Sequence, residues 1–271
     1  MSAQATAASA EAAIEHRIPL GAVRDTMAIA WRNLIAYRRV PQLLVFSTIQ
    51  PVIFVLMFRF VFGGAITIPG GIPYVDYLMP GVFVQTVVFG AIATAIGLAT
   101  DMKSGLLERF RSLPMARSGV LSGRTLADLT RNVFVVILMF LVGFLVGFRI
   151  HTNVFALIGA MLIVLFFGYS MSWIFATVGL AVGDPEVAQA AAFPVLAPLV
   201  FVSSAFVPIE SMPGWLQVFA EHQPVTAAAN AARALCLGGP TAHYVWTSIA
   251  WSVAIIAVFV PLAVGRYRRA V

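Results

Sequence analysis

The sequence predicts an all-α polytopic membrane protein with six transmembrane helices, an N-terminal amphipathic interfacial helix and a re-entrant outer helical hairpin. Three observations lead there. Of 271 residues, 61% are hydrophobic and only 10% charged, against about 25% charged in an ordinary soluble domain. The mean hydropathy of +0.94 leaves too few polar side chains to cover a soluble surface. The apolar residues gather into six runs, most of them near the roughly 20 residues a membrane-crossing helix needs, separated by segments rich in Arg, Gly and Pro.

Residues 1–19 read as a disordered tail, because Met1–Glu15 is small and polar and lacks the basic start and apolar core of a signal peptide. Residues 20–40 form the amphipathic helix. Leu20, Val23, Met27, Trp31 and Leu34 recur at helical spacing, Arg24, Arg32 and Arg39 occupy another face, and Trp31 and Tyr37 serve as interfacial anchors. Pro41 breaks it, and residues 41–271 form the transmembrane domain. Its spans are placed at Leu43–Phe62, Tyr77–Thr100, Asn132–Gly147, Val154–Val182, Ala188–Val207 and Trp246–Val264. The third is short. The fourth exceeds what a perpendicular helix needs and calls for tilt or an interrupted end.

Charge placement sets the orientation. Arg17, Arg24, Arg32, Arg38 and Arg39 precede the first span, and Gly63–Asp76 carries no basic residue. Lys103, Arg109, Arg111, Arg117, Arg124 and Arg131 fill the next connection, and Arg266, Arg268 and Arg269 close the chain. Basic loops stay in the cytoplasm, so the expectation is a multi-pass protein of the cell membrane with both termini cytoplasmic. The connection at Asp184 and Glu186 is uninformative. Arg59, near the outer end of the first span, reads as snorkelling to the interface. The net charge of +6 and pI near 10.1 therefore mark lipid-facing loops rather than a nucleic-acid surface.

The span centres carry almost no ionisable residue. Gln50, Gln85 and Ser170 are polar but do not titrate, whereas carriers driven by proton gradients hold Asp, Glu or His at membrane depth. A phosphate-binding loop is also missing: Lys103 stands in Gly97–Leu–Ala–Thr–Asp–Met–Lys–Ser104, with Met102 where the second glycine belongs. His16, His151, His222 and His243 have no metal-ligand spacing, and Cys236, the one cysteine, excludes an internal disulfide. No catalytic, cofactor or metal site is expected on this chain. Asp184–Pro–Glu186 reads as a turn ending a helix. A gradient-driven carrier or channel is the rival from another class.

Two segments carry information. In the cytoplasmic loop 101–131, Leu106, Leu107, Phe110 and Leu113 form an apolar stripe, Pro114 stops it, and Ser118 or Ser122 can cap the next helix. Such a helix either lies on the bilayer or docks in a groove of a partner domain. In the outer segment 208–237, apolar residues alternate with the breakers Pro208, Pro213, Gly214 and Pro224. Two short helices dipping into the outer leaflet fit this pattern, packed there for structure alone or as an outer gate.

Gly105–Leu–Leu–Glu–Arg–Phe–Arg–Ser–Leu–Pro114, followed by Arg117 and Gly123–Arg124, resembles the cytoplasmic-loop motif of ABC type-2 transporter permeases. Phe206–Val–Pro208, Met212–Pro–Gly–Trp215, Gln223–Pro–Val–Thr226 and Asn230–Ala–Ala–Arg233 resemble the same family, most of all its daunorubicin-resistance exporters. The resemblance implies a half-transporter that pairs with a second permease chain, as homodimer or heterodimer, and with a separate ABC ATP-binding subunit holding ATP and Mg. It implies a connecting helix with Met27, Trp31, Arg32 and Arg38. It implies a coupling helix with Gly105, Leu106, Leu107, Glu108, Arg109, Phe110, Leu113, Pro114 and Arg117. It implies an outer re-entrant gate with Pro208, Met212, Pro213, Trp215, Pro224, Asn230 and Arg233. The cargo implied is a hydrophobic or amphiphilic molecule, a drug or lipid, with a lipid-linked glycan or polysaccharide as the alternative.

If the Leu107–Phe110 stripe docks on the ATP-binding subunit, Leu107→Asp or Phe110→Asp abolishes transport-coupled ATP hydrolysis while membrane insertion is retained. Unchanged coupling in reconstituted vesicles would refute the docking.

Overall fold

A computed structural model describes residues 26–33, 35, 42–66, 68, 70–106 and 117–270. Among them every regular element is helical and no strand occurs. A helical stretch at 26–33 precedes α1 (Gln42–Leu56), which runs on as a π-helical segment, Met57–Phe62. Then follow α2 (Tyr74–Gly90), α3 (Ile92–Lys103), α4 (Arg117–Val146), α5 (Val154–Val182) and α6 (Pro185–Phe201). The short 3-10 turn Ile209–Ser211, α7 (Gly214–His222), α8 (Pro224–Leu237) and α9 (Thr241–Ala270) complete the chain.

Among the described residues, four stretches are long and apolar enough to cross a bilayer: Tyr74–Lys103, Leu121–Val146, Val154–Val182 and Thr241–Tyr267. Ser47–Phe62 and Pro185–Phe201 are apolar but shorter. Each apolar run expected from the sequence thus contains a helix, and four of the six have spanning length. Val154–Val182 matches its expected bounds because its ends are punctuated. Asn153 caps the start by accepting from the Ala156 N–H at 2.8 Å, and Gly183, at φ 71°, closes the end in the left-handed region. Asp184 then caps α6 from its side chain, with Pro185 in the first turn, so the expected turn at Asp184–Glu186 is present.

Several boundaries differ from expectation, and the sixth helix, Thr241–Ala270, overruns its expected Trp246–Val264 at both ends. The helix of the third span begins at Arg117 and its apolar stretch of spanning length at Leu121, rather than at Asn132, since nothing between them breaks the helix and Asp128 and Arg131 are buried. The fifth ends at Phe201 rather than Val207, because the chain unwinds at Val202 (φ −94°, ψ 59°). The second is interrupted at Ala91. There the Ala91 N–H is shared between the Val87 and Val88 carbonyls at 3.1 and 3.2 Å, and the Thr94 N–H turns back to Ala91. This tightened turn releases the Gly90 carbonyl from the helical ladder.

The centre of the bundle is α2. Every residue from Tyr74 to Val88 is buried, as expected of a helix apolar on all sides, and α1, α4, α5 and α8 surround it. Close approach depends on small residues. A Cβ at Gly81 would fall on the Ala205 carbonyl, and one at Gly179 on the Ala95 carbonyl. The outward surfaces carry large apolar side chains, among them Leu145, Phe155, Leu162 and Trp246, the exposure a lipid-facing surface requires.

Gly81→Ala is expected to destabilise the solubilised chain by about 1–3 kcal/mol. Gly265→Ala, where a Cβ meets nothing within 4 Å, should gain up to about 1 kcal/mol from helix propensity. Thermal unfolding in detergent reads both, and equal shifts would mean that the 202–207 stretch does not rest on α2.

Candidate functional site

The sequence-predicted residues fall at two opposite ends of the bundle. One end carries the close of α3, the start of α4, the α5–α6 turn and helix 26–33; it is called the basic end here. Helix 26–33 buries Ile29, Ala30 and Asn33, and a Cβ on Gly123 of α4 would meet Ile29 at 2.7 Å. Its other face leaves Met27 57% and Trp31 66% exposed, the placement an interfacial anchor needs. Arg32 Nη2 lies 3.4 Å from Asp101 Oδ2 and ties this helix to α3.

Gly105, at φ 68°, ends the turn after α3, and Leu106 is half-buried beyond it. Leu107, Glu108, Arg109, Phe110, Leu113 and Pro114 lie outside the described residues, as does Arg38. Arg117 opens α4. Lys103 Nζ donates to Asp184 Oδ2 at 2.7 Å and joins α3 to the α5–α6 turn. The hydrogen bond from Lys103, with the α6 backbone N–H groups it caps, holds the Asp184 carboxyl below its ordinary range.

Between the ends, α4 carries a polar face that the sequence reading assigned to a loop. Arg131 Nη2 donates to the freed Gly90 carbonyl at 2.6 Å, and Arg124 Nη2 to the Ala93 carbonyl at 3.0 Å. Asp128, fully buried, accepts from Thr94 Oγ1 at 2.6 Å and lies 3.5 Å from Arg124 Nε. Arg124, Asp128, Arg131 and Asn132 share one helix face by their spacing, which is the signal that was available. At 1.5 Å per residue, Arg131 and Asp128 sit about 22 and 27 Å from Val146. They occupy the half toward the basic end, and the Asp128 carboxylate is engaged by Thr94 and Arg124.

At the far end, residues 202–207 are non-helical yet Ser203–Phe206 are buried. Their carbonyls are taken up from neighbouring helices. Tyr74 Oη donates to the Phe206 carbonyl at 2.9 Å, and Tyr77 Oη to the Ser204 carbonyl at 3.1 Å. Arg233 Nη2 reaches the same Ser204 carbonyl at 2.7 Å, Nε the Tyr77 carbonyl at 3.2 Å, and Nη1 the Asn230 Oδ1 at 2.6 Å. The guanidinium lies over the Tyr77 ring, 3.7 Å from its centroid. Ser204 Oγ also donates to Asn230 Oδ1, at 2.8 Å. Gln223 Nε2 donates to the Leu199 and Val202 carbonyls at 2.9 and 3.0 Å, closing the end of α6, while its Oε1 caps α8 at the Val225 N–H. Phe58 stacks on Phe206 at 4.7 Å and binds the π-helical segment to this stretch.

Of the expected outer set, Asn230 and Arg233 are therefore brought together. Pro208 is buried and its carbonyl accepts from Ser211; Met212 accepts from Gln217 Nε2 at 2.8 Å. Pro213 precedes α7 and Pro224 opens α8. Trp215 takes part in none of these hydrogen bonds and is 77% exposed, sharing an exposed apolar face with Val218 and Phe219. Tyr74, Tyr77 and Ser204 belong to the same construction and were not singled out from sequence, whereas Gln223 and Thr226 stood in the quoted Gln223–Pro–Val–Thr226 motif.

With this geometry in place, comparison with known proteins adds the following. The pattern of the ABC-2 type transporter family matches residues 24–237. The chain is 37% identical to the daunorubicin resistance ABC transporter permease protein DrrB1 of Streptomyces coeruleorubidus, over 91% of this chain and 87% of that one. It is 29% identical, over 83% of this chain and 81% of the relative, to a Mycobacterium tuberculosis protein named "Probable doxorubicin resistance ABC transporter permease protein DrrC". The doxorubicin resistance ABC transporter permease protein DrrB of that organism is 31% identical over 41% of this chain and 38% of its own length.

Removing the Arg233 head group leaves the Ser204 and Tyr77 carbonyls short of a donor. Arg233→Met is expected to destabilise the chain by about 2–4 kcal/mol, with Arg233→Lys intermediate. A melting temperature unchanged by Arg233→Met would show that the unwound stretch does not depend on this contact.

Proposed function

We propose, for a chain that belongs to the ABC-2 type transporter family, the role of membrane-spanning permease in an exporter of hydrophobic or amphiphilic molecules. Family membership makes the chain a transport subunit of a multi-pass membrane assembly rather than an enzyme, and it implies an ABC ATP-binding partner. The finer reading is ours: drug or lipid efflux, a second permease chain completing the transporter, and both termini in the cytoplasm.

The observation that carries the export reading is likeness along nearly the whole chain to a permease named for daunorubicin resistance. The arrangement of the two ends supports it. Helix 26–33 and the close of α3 are joined by the Arg32–Asp101 pair, so a displacement imposed near Gly105 by a docked ATP-binding subunit is shared by both. From there α2–α3 and α4 run to the far end, where the Ser204–Arg233–Asn230 contacts and α7 lie. Nucleotide-driven closure of the partner pushes on the basic end, and the helices transmit that push as rigid bodies. The exposed bundle surface and the α7 face are apolar, which suits cargo carrying extensive apolar surface and offers little to strongly ionic cargo. The positive end is the cytoplasmic one in this reading.

The test is ATP-dependent export of daunorubicin by the chain co-reconstituted with its ATP-binding subunit. Export is expected from the wild-type complex, and Trp215→Ala is expected to lower it several-fold with an unchanged yield of assembled complex. Absence of wild-type export sinks the cargo reading. An equal loss of assembled complex in the variant makes Trp215 a structural residue.

A further inference from the structure

The α4–α5 connection, residues 147–153, crosses the far end of the bundle and touches two elements besides its own helices. Phe148 is fully buried and meets the Phe83 ring edge-on, with 6.0 Å between centroids. The Arg149 N–H donates to Asp76 Oδ1 at 2.8 Å, in the first turn of α2. The His151 N–H donates to the Cys236 carbonyl at 3.0 Å, and Thr152 Oγ1 to the Leu235 carbonyl at 2.6 Å. Two of the carbonyls left over at the end of α8 are thereby taken up. His151 Nε2 lies 3.1 Å from Asp76 Oδ2, an ion-pair geometry that joins the connection to the central helix.

An ionised carboxylate only accepts, so the Nε2 that faces it carries a hydrogen. The neutral ring donates an ordinary hydrogen bond, and the protonated ring adds the attraction of opposite charges, which makes the stronger bond. The two side chains are unequally placed: that of Asp76 is 3% exposed and that of His151 52%. Protons from solution reach the ring, whereas the carboxylate is shielded from water and salt. An imidazole is the side chain whose charge ordinarily changes between about pH 5 and 8. The neighbouring groups do not share that range. The Arg149 guanidinium is turned to the Phe144 and Phe148 carbonyls at 3.2 and 2.9 Å. Phenols and guanidinium groups titrate above it, and here they belong to Tyr74 and Tyr77 of α2, Arg233 of α8 and Tyr244 of α9. Burial pushes the Cys236 thiol up to about 12, and Glu210 acts on Tyr77.

We propose that His151 and Asp76 form a proton-set clip: with the ring charged, the α4–α5 connection is held to the start of α2 and the end of α8, and loss of that charge loosens it. The clip is tightest on the acid side of the imidazole range and slackens as the pH rises through it. Because α8 also carries Arg233, whose head group holds the Ser204 carbonyl of the unwound stretch, the clip bears on the same end of the bundle as that contact. It is a property of the fold and does not rest on the cargo reading.

The experiment measures hydrogen–deuterium exchange of the full chain in phosphatidylcholine nanodiscs at about pH 5.5 and about pH 8, with labelling times scaled to the intrinsic exchange rate at each pH. The reporters are the Arg149 and His151 amides, bonded to Asp76 and to Cys236, and the reference is the interior of α5. In the wild type, reporter protection should be about threefold higher at the acid pH, a modest gain because the ring is half exposed, with α5 unchanged. His151→Gln keeps a side-chain N–H donor without the titration, and it should protect the reporters equally at both pH values. His222 and His243 remain in that variant, so a pH effect arising from them persists there. Equal or lower protection at the acid pH in the wild type, or the same pH difference in His151→Gln, overturns the clip. A pH change of equal size in α5 also overturns it, because the whole bundle would then be loosening.

Discussion

A carbonyl released from its helix inside an apolar bundle has no water to turn to, and the architecture follows from how three such releases are closed. At the α2–α3 interruption, Arg131 and Arg124 of α4 take the Gly90 and Ala93 carbonyls. In the unwound stretch after α6, Tyr74, Tyr77 and Arg233 take the Phe206 and Ser204 carbonyls. At the end of α6, Gln223 takes those of Leu199 and Val202. Each donor comes from a different helix than the acceptor. The irregular places are therefore where the helices are most firmly joined.

That division of labour also accounts for the chemistry of the surfaces. The arginines near the middle are spent on backbone oxygens, and the buried Asp128 is spent on Thr94 and Arg124. Arg233 is held by neutral oxygens and an aromatic face. Many of the large side chains that remain exposed along the spans are apolar. The exposed ion pair, Lys103 with Asp184, stands at the basic end, where solvent and salt can reach it and where exposed pairs contribute little to stability. Its role is to register the α5–α6 turn against α3.

Legibility of the sequence tracked the distance over which residues act. The span Val154–Val182 could be read because Asn153 and Gly183–Asp184–Pro185 punctuate it locally. The start of α4 could not, because Arg124, Asp128 and Arg131 look like loop residues until their partners on α2 and α3 are known. Residues cannot announce that a charge is satisfied by a carbonyl thirty positions away. At the far end, Gln223, Asn230 and Arg233 were legible through a family motif, whereas Tyr74 and Tyr77 become members of the same contact only through folding. The order of the apolar helices was legible but their lengths were not, since Pro185–Phe201 stops where Val202 leaves the helix.

The unbroken course of α4 has a mechanical consequence. Its 30 residues make a rod about 45 Å long, with no proline or kink to absorb bending. Tilting such a rod by about 5° about one end swings the other by about 4 Å, close to one strand-width of backbone. An angular change of that size at Arg117 is thus geared up, without any local melting, into a shift at Val146 comparable to the diameter of a methylene chain.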